Sequence, residues 1–185
     1  MLAYALVLWY TENMAYNYKS LYEKNAKFYN QSPTAKQMLE LSDILLTWLF
    51  FIAYGAIWIP ILTAEIFSPI EGLKALLPLF GCIPLVTAAR LMIDRARPYA
   101  EDGAGIQPVL NKRNTQRNSC PSRHLACAAV ISMICLYFST IGGAFLLQAT
   151  IALAYTRFAA GFHYPSDLIA GTALGIACGL PLFLL

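Results

Sequence analysis

From Leu125 to Thr156 the chain carries no charged side chain at all. An uninterrupted apolar stretch of this length has no place on the surface of a soluble domain. A transmembrane helix needs only about 20 mainly apolar residues, so the run is long enough for two crossings. Gly142-Gly143 in its middle predicts the tight turn between them. Ile44–Ala64 is a further uncharged stretch, bracketed by Asp43 and Glu65. Ala75–Ala89 reaches spanning length when its helix continues through Arg90 toward Arg97, and Leu168–Leu185 supplies the last span. Composition agrees, with 58% hydrophobic and 12% charged residues against roughly 25% charged in soluble chains. The predicted fold is an all-α, polytopic transmembrane helix bundle of five spans.

The N-terminus reads differently. Met1–Tyr10 is apolar but too short to span alone, and it lacks the basic n-region of a signal peptide. It is either the start of a sixth span continuing through Tyr16 or a helix lying in the interface. Residues 16–39 are rich in Tyr, Asn and Lys, which suits a membrane-surface segment. With no repeat and no low-complexity tract, residues 1–185 read as one domain: a membrane-associated segment over 1–39 and a helix bundle over 40–185. The five cysteines include no C-x-x-C pair, and four of them lie in apolar runs. Those four read as small buried hydrophobes, and Cys120 is the exception because it borders a motif. No zinc-ligand pattern is present, and no metal or other cofactor is expected. The net charge of +3 is too small to indicate a nucleic-acid partner.

Charge is concentrated in one region. Seven basic residues (Arg90, Arg95, Arg97, Lys112, Arg113, Arg117 and Arg123) face three acidic ones (Asp94, Glu101 and Asp102) between positions 90 and 123. Such an excess concentrates anions at a surface, although a positive-inside cytoplasmic loop has the same composition. Pro98–Pro121 is the long polar connection of the bundle and lies outside the hydrocarbon. Two spans separate it from the Gly161–Asp167 turn, so both lie on one face of the membrane. The links near Ser68–Glu71 and at Gly142-Gly143 lie on the other.

Three clusters meet on that shared face. In the first, Arg90 and Arg97 stand two helical turns apart and point from one side. Pro98 should end the helix at Arg97, and Asp94, four residues after Arg90, is placed to pair with it. In the second, Cys120-Pro121-Ser122-Arg123-His124 opens an apolar helix with proline at its first position. Free N–H groups and the helix dipole favour an anion there. In the third, Arg157 ends the uncharged run, where a charge is costly unless used. His163 is followed four residues later by Asp167. A carboxylate so placed can take the proton of one imidazole nitrogen and leave the other free to attack. Each cluster alone fits an ordinary helix end. Both histidines of the chain, each at a helix start beside arginine and proline on one face, are much harder to attribute to chance.

The three clusters resemble the signature of the type-2 phosphatidic acid phosphatase superfamily. That signature is Lys, six residues, Arg-Pro; then Pro-Ser-Gly-His; then Ser-Arg, five residues, His, three residues, Asp. Arg90 stands at the Lys position and Arg97-Pro98 match; Pro121, Ser122 and His124 match the second motif; Arg157, His163 and Asp167 match the third. The resemblance implies a metal-independent lipid phosphatase. His163 would attack phosphorus to give a phosphohistidine, with Asp167 orienting it. His124 would protonate the leaving oxygen and then activate water. Arg90, Arg97, Ser122, Arg123 and Arg157 would hold the phosphate. Arg90 for Lys, Arg123 for Gly and Thr156 for Ser are departures, and Arg123 adds a cation that could read a second phosphate.

The resemblance implies a lipid phosphate as partner, of the undecaprenyl diphosphate or phosphatidylglycerophosphate kind. It also implies a bacterial plasma membrane with the active site on the extracytoplasmic face. That face sets the basic loop against the positive-inside rule, and the family expectation is preferred because catalytic need accounts for most of the arginines. Two other readings share these residues: a lipid phosphotransferase using the same intermediate, and an anion transporter lined by polar helix starts.

Overall fold

Helix starts follow the capping residues of the sequence. Ser32 caps the longest helix, its hydroxyl accepting from the Ala35 N–H at 3.2 Å, and Pro33 occupies the first helical position, where its missing N–H removes nothing. The computed structural model describes residues 18–63, 69–110 and 115–184. The expectations for Met1–Tyr16 and for a link at Ser68 lie outside the described residues. Residues 18–31 form α1. Then come α2 (Pro33–Leu62), α3 (Pro69–Ile93), α4 (Arg123–Phe138), α5 (Thr140–Ala159) and α6 (Pro165–Gly179), closed by a 3-10 turn over Leu180–Phe183. All regular structure among the described residues is helical.

The five expected spans are corrected to four helices long and apolar enough to cross a membrane, plus one shorter apolar helix. The short one is α4, whose 16 residues extend only about 24 Å. It packs against α2, α3, α5 and α6, and its residues from Leu125 to Cys135 are buried apart from Cys127. Protein covers it, so its ends need not reach both interfaces. In α2 and α3 the buried set shrinks to Leu39, Asp43 and Phe50, and to Gly72, Ala75, Cys82 and Val86. Their exposed faces carry Trp48, Phe51, Ile52, Phe80 and Leu85, an apolar surface suited to lipid.

The turn inside the uncharged run also moves. The break falls at Ser139, which ends α4 and caps α5 by accepting from the Gly142 N–H at 3.3 Å. Gly142-Gly143 lie in the first turn of α5. A Cβ on Gly143 would overlap the Leu136 backbone, so this glycine serves helix approach and the cap serine makes the turn. Glycine has the same use in α6. Gly171, Gly175 and Gly179, each one turn apart, face Ser122, Ala126 and Met133 so closely that side chains there would collide. Small residues at that spacing let two helices approach backbone to backbone, and this sets the start of α6 against the start of α4.

Helix α1 is amphipathic. Tyr18, Tyr22 and Ala26, one turn apart, are buried, whereas Lys19, Glu23, Lys24 and Lys27 are exposed. Its buried face packs on Tyr99, Ile106, Val109 and Leu110 of the α3–α4 connection and on Ala159, Ala160, Phe162 and Tyr164 of the α5–α6 turn. The Tyr22 hydroxyl accepts from the Val109 N–H at 2.9 Å and donates to the Gln107 carbonyl at 3.0 Å. This helix braces the two loops that carry the motif residues.

Candidate active site

At the end of the bundle where α3 and α5 finish and α4 and α6 begin lies a cavity of about 250 Å³. Arg90, Arg97, Thr115, Arg123, His124, Arg157, Phe162 and His163 line it. Six of the eight residues singled out from the sequence therefore share one wall system. The other two, Ser122 and Asp167, are fully buried and do not line it. Among the described residues no group of His, Cys, Asp and Glu is arranged to hold a metal ion.

Helix α3 ends one turn earlier than Pro98 predicts. Asp94 adopts φ 40°, a left-handed conformation that Asp tolerates better than most residues and that stops the helix at Ile93. Arg95–Arg97 then run beside the segment before α4, with the Arg97 N–H donating to Gln116 O and the Ser119 N–H to Arg95 O, both at 2.9 Å. Arg97 thus reaches the cavity from the loop after α3 and Arg90 from the helix. Its guanidinium donates to the Phe162 carbonyl at 3.3 Å, and that of Arg90 to Pro121 O at 3.4 Å. Asp94 does not pair with Arg90. It binds the exposed Arg117 at 2.9 Å, because the left-handed turn carries it to the loop side.

Pro121 also misses the first helical position predicted for it and sits two residues before that position. Ser122 is the N-cap of α4 and Arg123 its first helical residue. The Ser122 N–H donates to the Asp167 carbonyl at 2.9 Å, which locks the starts of α4 and α6 together. The Ser122 hydroxyl is buried and has no hydrogen-bond partner among the described residues.

His163 follows Gly161, whose φ of 82° turns the chain out of α5. The imidazole is 3% exposed, and its Nδ1 lies 2.9 Å from the Ser119 carbonyl but 3.7 Å from Asp167 Oδ2. A carbonyl oxygen can only accept, so Nδ1 carries the proton and Nε2 keeps its lone pair. Burial, the larger influence, holds the His163 pKa below its ordinary value. The Asp167 carboxylate pulls it upward, and Arg97 and Arg157 push it down. A neutral imidazole beside arginines is the nucleophilic form.

Arg157 is 2% exposed and is fixed from α2. Its Nε lies 2.9 Å from Asp43 Oδ1, and its Nη2 donates to the Thr47 hydroxyl at 3.0 Å. Asp43 also accepts from Thr156 Oγ1 at 3.0 Å, which accounts for the hydroxyl at the position before Arg157. Sequence reasoning missed Asp43 and Thr47; the only signal was an acid at the border of an apolar run. It also missed Arg95, which donates to Asp167 Oδ1 at 2.8 Å, and Ser119, which donates to Asp167 Oδ2 at 2.6 Å.

A second recess of about 410 Å³ adjoins the first and shares Arg123 and His124 with it. Its other walls are Thr47, Phe50, Phe51 and Tyr54 of α2, Leu79 and Ile83 of α3, Cys127, Ala128 and Ile131 of α4, and Leu153 of α5. It is apolar and runs between helices that present apolar faces outward. The two recesses together offer a cationic end and an apolar end, with Arg123 at the join.

The sequence model of the PAP2 superfamily matches residues 72–185. The lipid A 4'-phosphatase of Bacteroides thetaiotaomicron is 31% identical over 90 residues, which is 46% of this chain and 40% of that protein. The chain thus spans less than half the length of that relative. Two crystal structures share the fold. Aquifex aeolicus LpxE aligns with TM-score 0.57 and 23% identity over 78% of this chain and 87% of its own. The Bacillus subtilis transmembrane PAP2 type phosphatidylglycerolphosphate phosphatase aligns with TM-score 0.62 and 17% identity over 99% of this chain and 95% of its own. With apolar helices of spanning length, and with a family match that takes in α3 to α6 and every motif residue, this chain is an integral membrane protein and belongs to the PAP2 superfamily.

Proposed function

We propose that this protein removes a phosphate from a membrane lipid through a phosphohistidine on His163. One observation carries the reading: a single cavity holds both histidines of the chain and four guanidiniums, and it adjoins an apolar recess. Phosphoryl transfer asks mainly for positioning and charge neutralisation. Arg90, Arg97 and Arg157 supply both to the three non-bridging oxygens. Among the described residues the Ser122 hydroxyl is partnerless but buried behind the cavity wall, so the phosphate rests on the arginines. The lone pair of His163 Nε2 forms the bond to phosphorus while the bond from phosphorus to the lipid oxygen breaks. His124 gives its proton to that oxygen. Water, deprotonated by His124, then displaces the histidine, releases inorganic phosphate and restores both imidazoles.

The bundle over 40–185 acts as one catalytic domain, with 1–39 as a membrane-associated segment. A lipid whose tail occupies the apolar recess must pass Arg123 on its way to the phosphate site. A cation at that join favours a second phosphate between scissile group and tail, as in undecaprenyl diphosphate or phosphatidylglycerophosphate. The relatives named as lipid phosphatases support the lipid class. We place the site on the extracytoplasmic face of a bacterial plasma membrane.

The test is phosphate release in detergent from lipid mono- and diphosphates of one tail, with EDTA present. Wild type should hydrolyse both and prefer the diphosphate, orthovanadate should inhibit, and His163→Ala should be inactive. Hydrolysis that survives in His163→Ala, or that requires added Mg²⁺, would defeat the proposal.

A further inference from the structure

Of the three arginines in Arg90–Arg97, only Arg90 and Arg97 line the cavity. Arg95 points behind it. Its Nη1 donates to Asp167 Oδ1 at 2.8 Å and to Ser166 Oγ at 2.7 Å. Its guanidinium stacks over the Tyr164 ring at 4.1 Å, a favourable cation–π contact. The other carboxylate oxygen, Oδ2, accepts from Ser119 Oγ at 2.6 Å and from the Tyr164 N–H at 3.0 Å. Asp167 is thus held on every side by groups other than the imidazole. The shortest hydrogen bond at His163 Nδ1 is to the Ser119 carbonyl at 2.9 Å, and the carboxylate stands off at 3.7 Å.

We propose that Arg95 and Ser119 are positioning residues of this site, Arg95 clamping Asp167 and Ser119 linking that clamp to the imidazole of His163. Arg95 counters the buried carboxylate charge and fixes its rotamer. The carboxylate fixes the Ser119 side chain, and the Ser119 carbonyl accepts a hydrogen bond from Nδ1–H. The Ser119 N–H in turn donates to the Arg95 carbonyl at 2.9 Å, so the loop closes on itself. The arrangement rests on the phosphohistidine reading only in the direction that Nε2 faces. The anchoring of the imidazole itself is independent of it.

A loss of this clamp has a specific signature. The groups facing His163 are Arg90 from α3, Arg97 from the segment after it, His124 and Arg123 from α4, Arg157 from α5 and Asp167 from α6. Removing the Arg95 charge leaves Asp167 as a less compensated anion beside the imidazole, which favours the imidazolium. In the full-length protein in detergent, Arg95→Met should lower kcat about 100-fold, the cost of roughly an ångström of misplacement. KM should stay unchanged, because Arg95 does not line the phosphate cavity. The acidic limb of its kcat/KM profile should move to higher pH by about one unit. Arg95→Lys should restore part of the limb position, and Ser119→Ala, which keeps the carbonyl, should lower kcat less than Arg95→Met. Where Arg95→Met does not fold, the limb and the kcat loss are read on Arg95→Lys and Ser119→Ala. An Arg95→Met or Ser119→Ala enzyme with wild-type kcat, or with lowered kcat and an unmoved limb, would overturn the proposal. Failure of the lipid phosphatase reading shows separately, as a wild type that releases no phosphate.

Discussion

At the scale of single residues, the site is a set of charges held in place by neighbouring side chains and backbone groups. Arg157 is aimed by Asp43 and Thr47, and His163 by the Ser119 carbonyl. Because burial lowers the His163 pKa, the imidazole stays neutral to a pH below its ordinary value of about 6.5. In the proposed mechanism protonation removes the attacking lone pair, so activity should fall as pH drops through that lowered value. The acidic limb of kcat/KM, which reports the free enzyme, should therefore lie below about pH 6.5, as rates measured from pH 4.5 to 8 would show. A limb at or above the ordinary value would mean that Asp167 outweighs burial and the two arginines. The same lowered pKa makes stability rise with pH across this range, since the unfolded chain holds the proton more readily.

At the scale of elements, two devices place the residues of the candidate site. One is the glycine stripe of α6 against α4, which brings Asp167 O within hydrogen-bonding distance of the Ser122 N–H. The other is the turn at Gly161, where α5 ends and the chain reverses toward His163 under α1. Gly161 has φ 82°, and a Cβ there would lie 2.7 Å from the Tyr22 hydroxyl. Gly161→Ala combines a left-handed backbone penalty with a displaced brace and should cost about 1–3 kcal/mol. Thermal unfolding in detergent would register this as a lowered Tm, with activity lost alongside it. An unchanged Tm would show that α1 does not support the turn.

At the scale of the whole molecule, the cationic cavity sits at one end of the bundle, framed by the loop from Pro98 to Pro121. The exposed ion pairs of that loop, Arg117 with Asp94 at 2.9 Å and with Asp102 at 2.5 Å, are worth little singly. Its packing comes instead from Tyr99, Ile106, Val109 and Leu110 against α1. The sidedness we propose makes this loop extracytoplasmic. Gln107→Cys, at an exposed loop position, should then react with a membrane-impermeant maleimide in intact cells above the wild-type background. Labelling only after permeabilisation would put the site on the cytoplasmic side and vindicate the positive-inside rule over the family expectation.

The helical, membrane-embedded class and the motif residues were legible in the sequence because both are local properties. An uncharged run must avoid water wherever it folds, and Arg97-Pro98, Pro121-Ser122 and His163 to Asp167 are short spacings along one chain. The helix ends were less legible: Ser139 and Asp94 overrode Gly142-Gly143 and Pro98, since capping and backbone torsion act on single residues that a hydropathy pattern does not weigh. The supporting contacts were invisible. Arg95 meets Asp167, Ser119 meets His163 and Asp43 meets Arg157 only once α2, α5, α6 and the loop before α4 are packed together. Which acceptor the Nδ1–H meets, a nearby carbonyl or a carboxylate less than an ångström farther away, is decided by loop position. That distance is set by the tertiary structure alone.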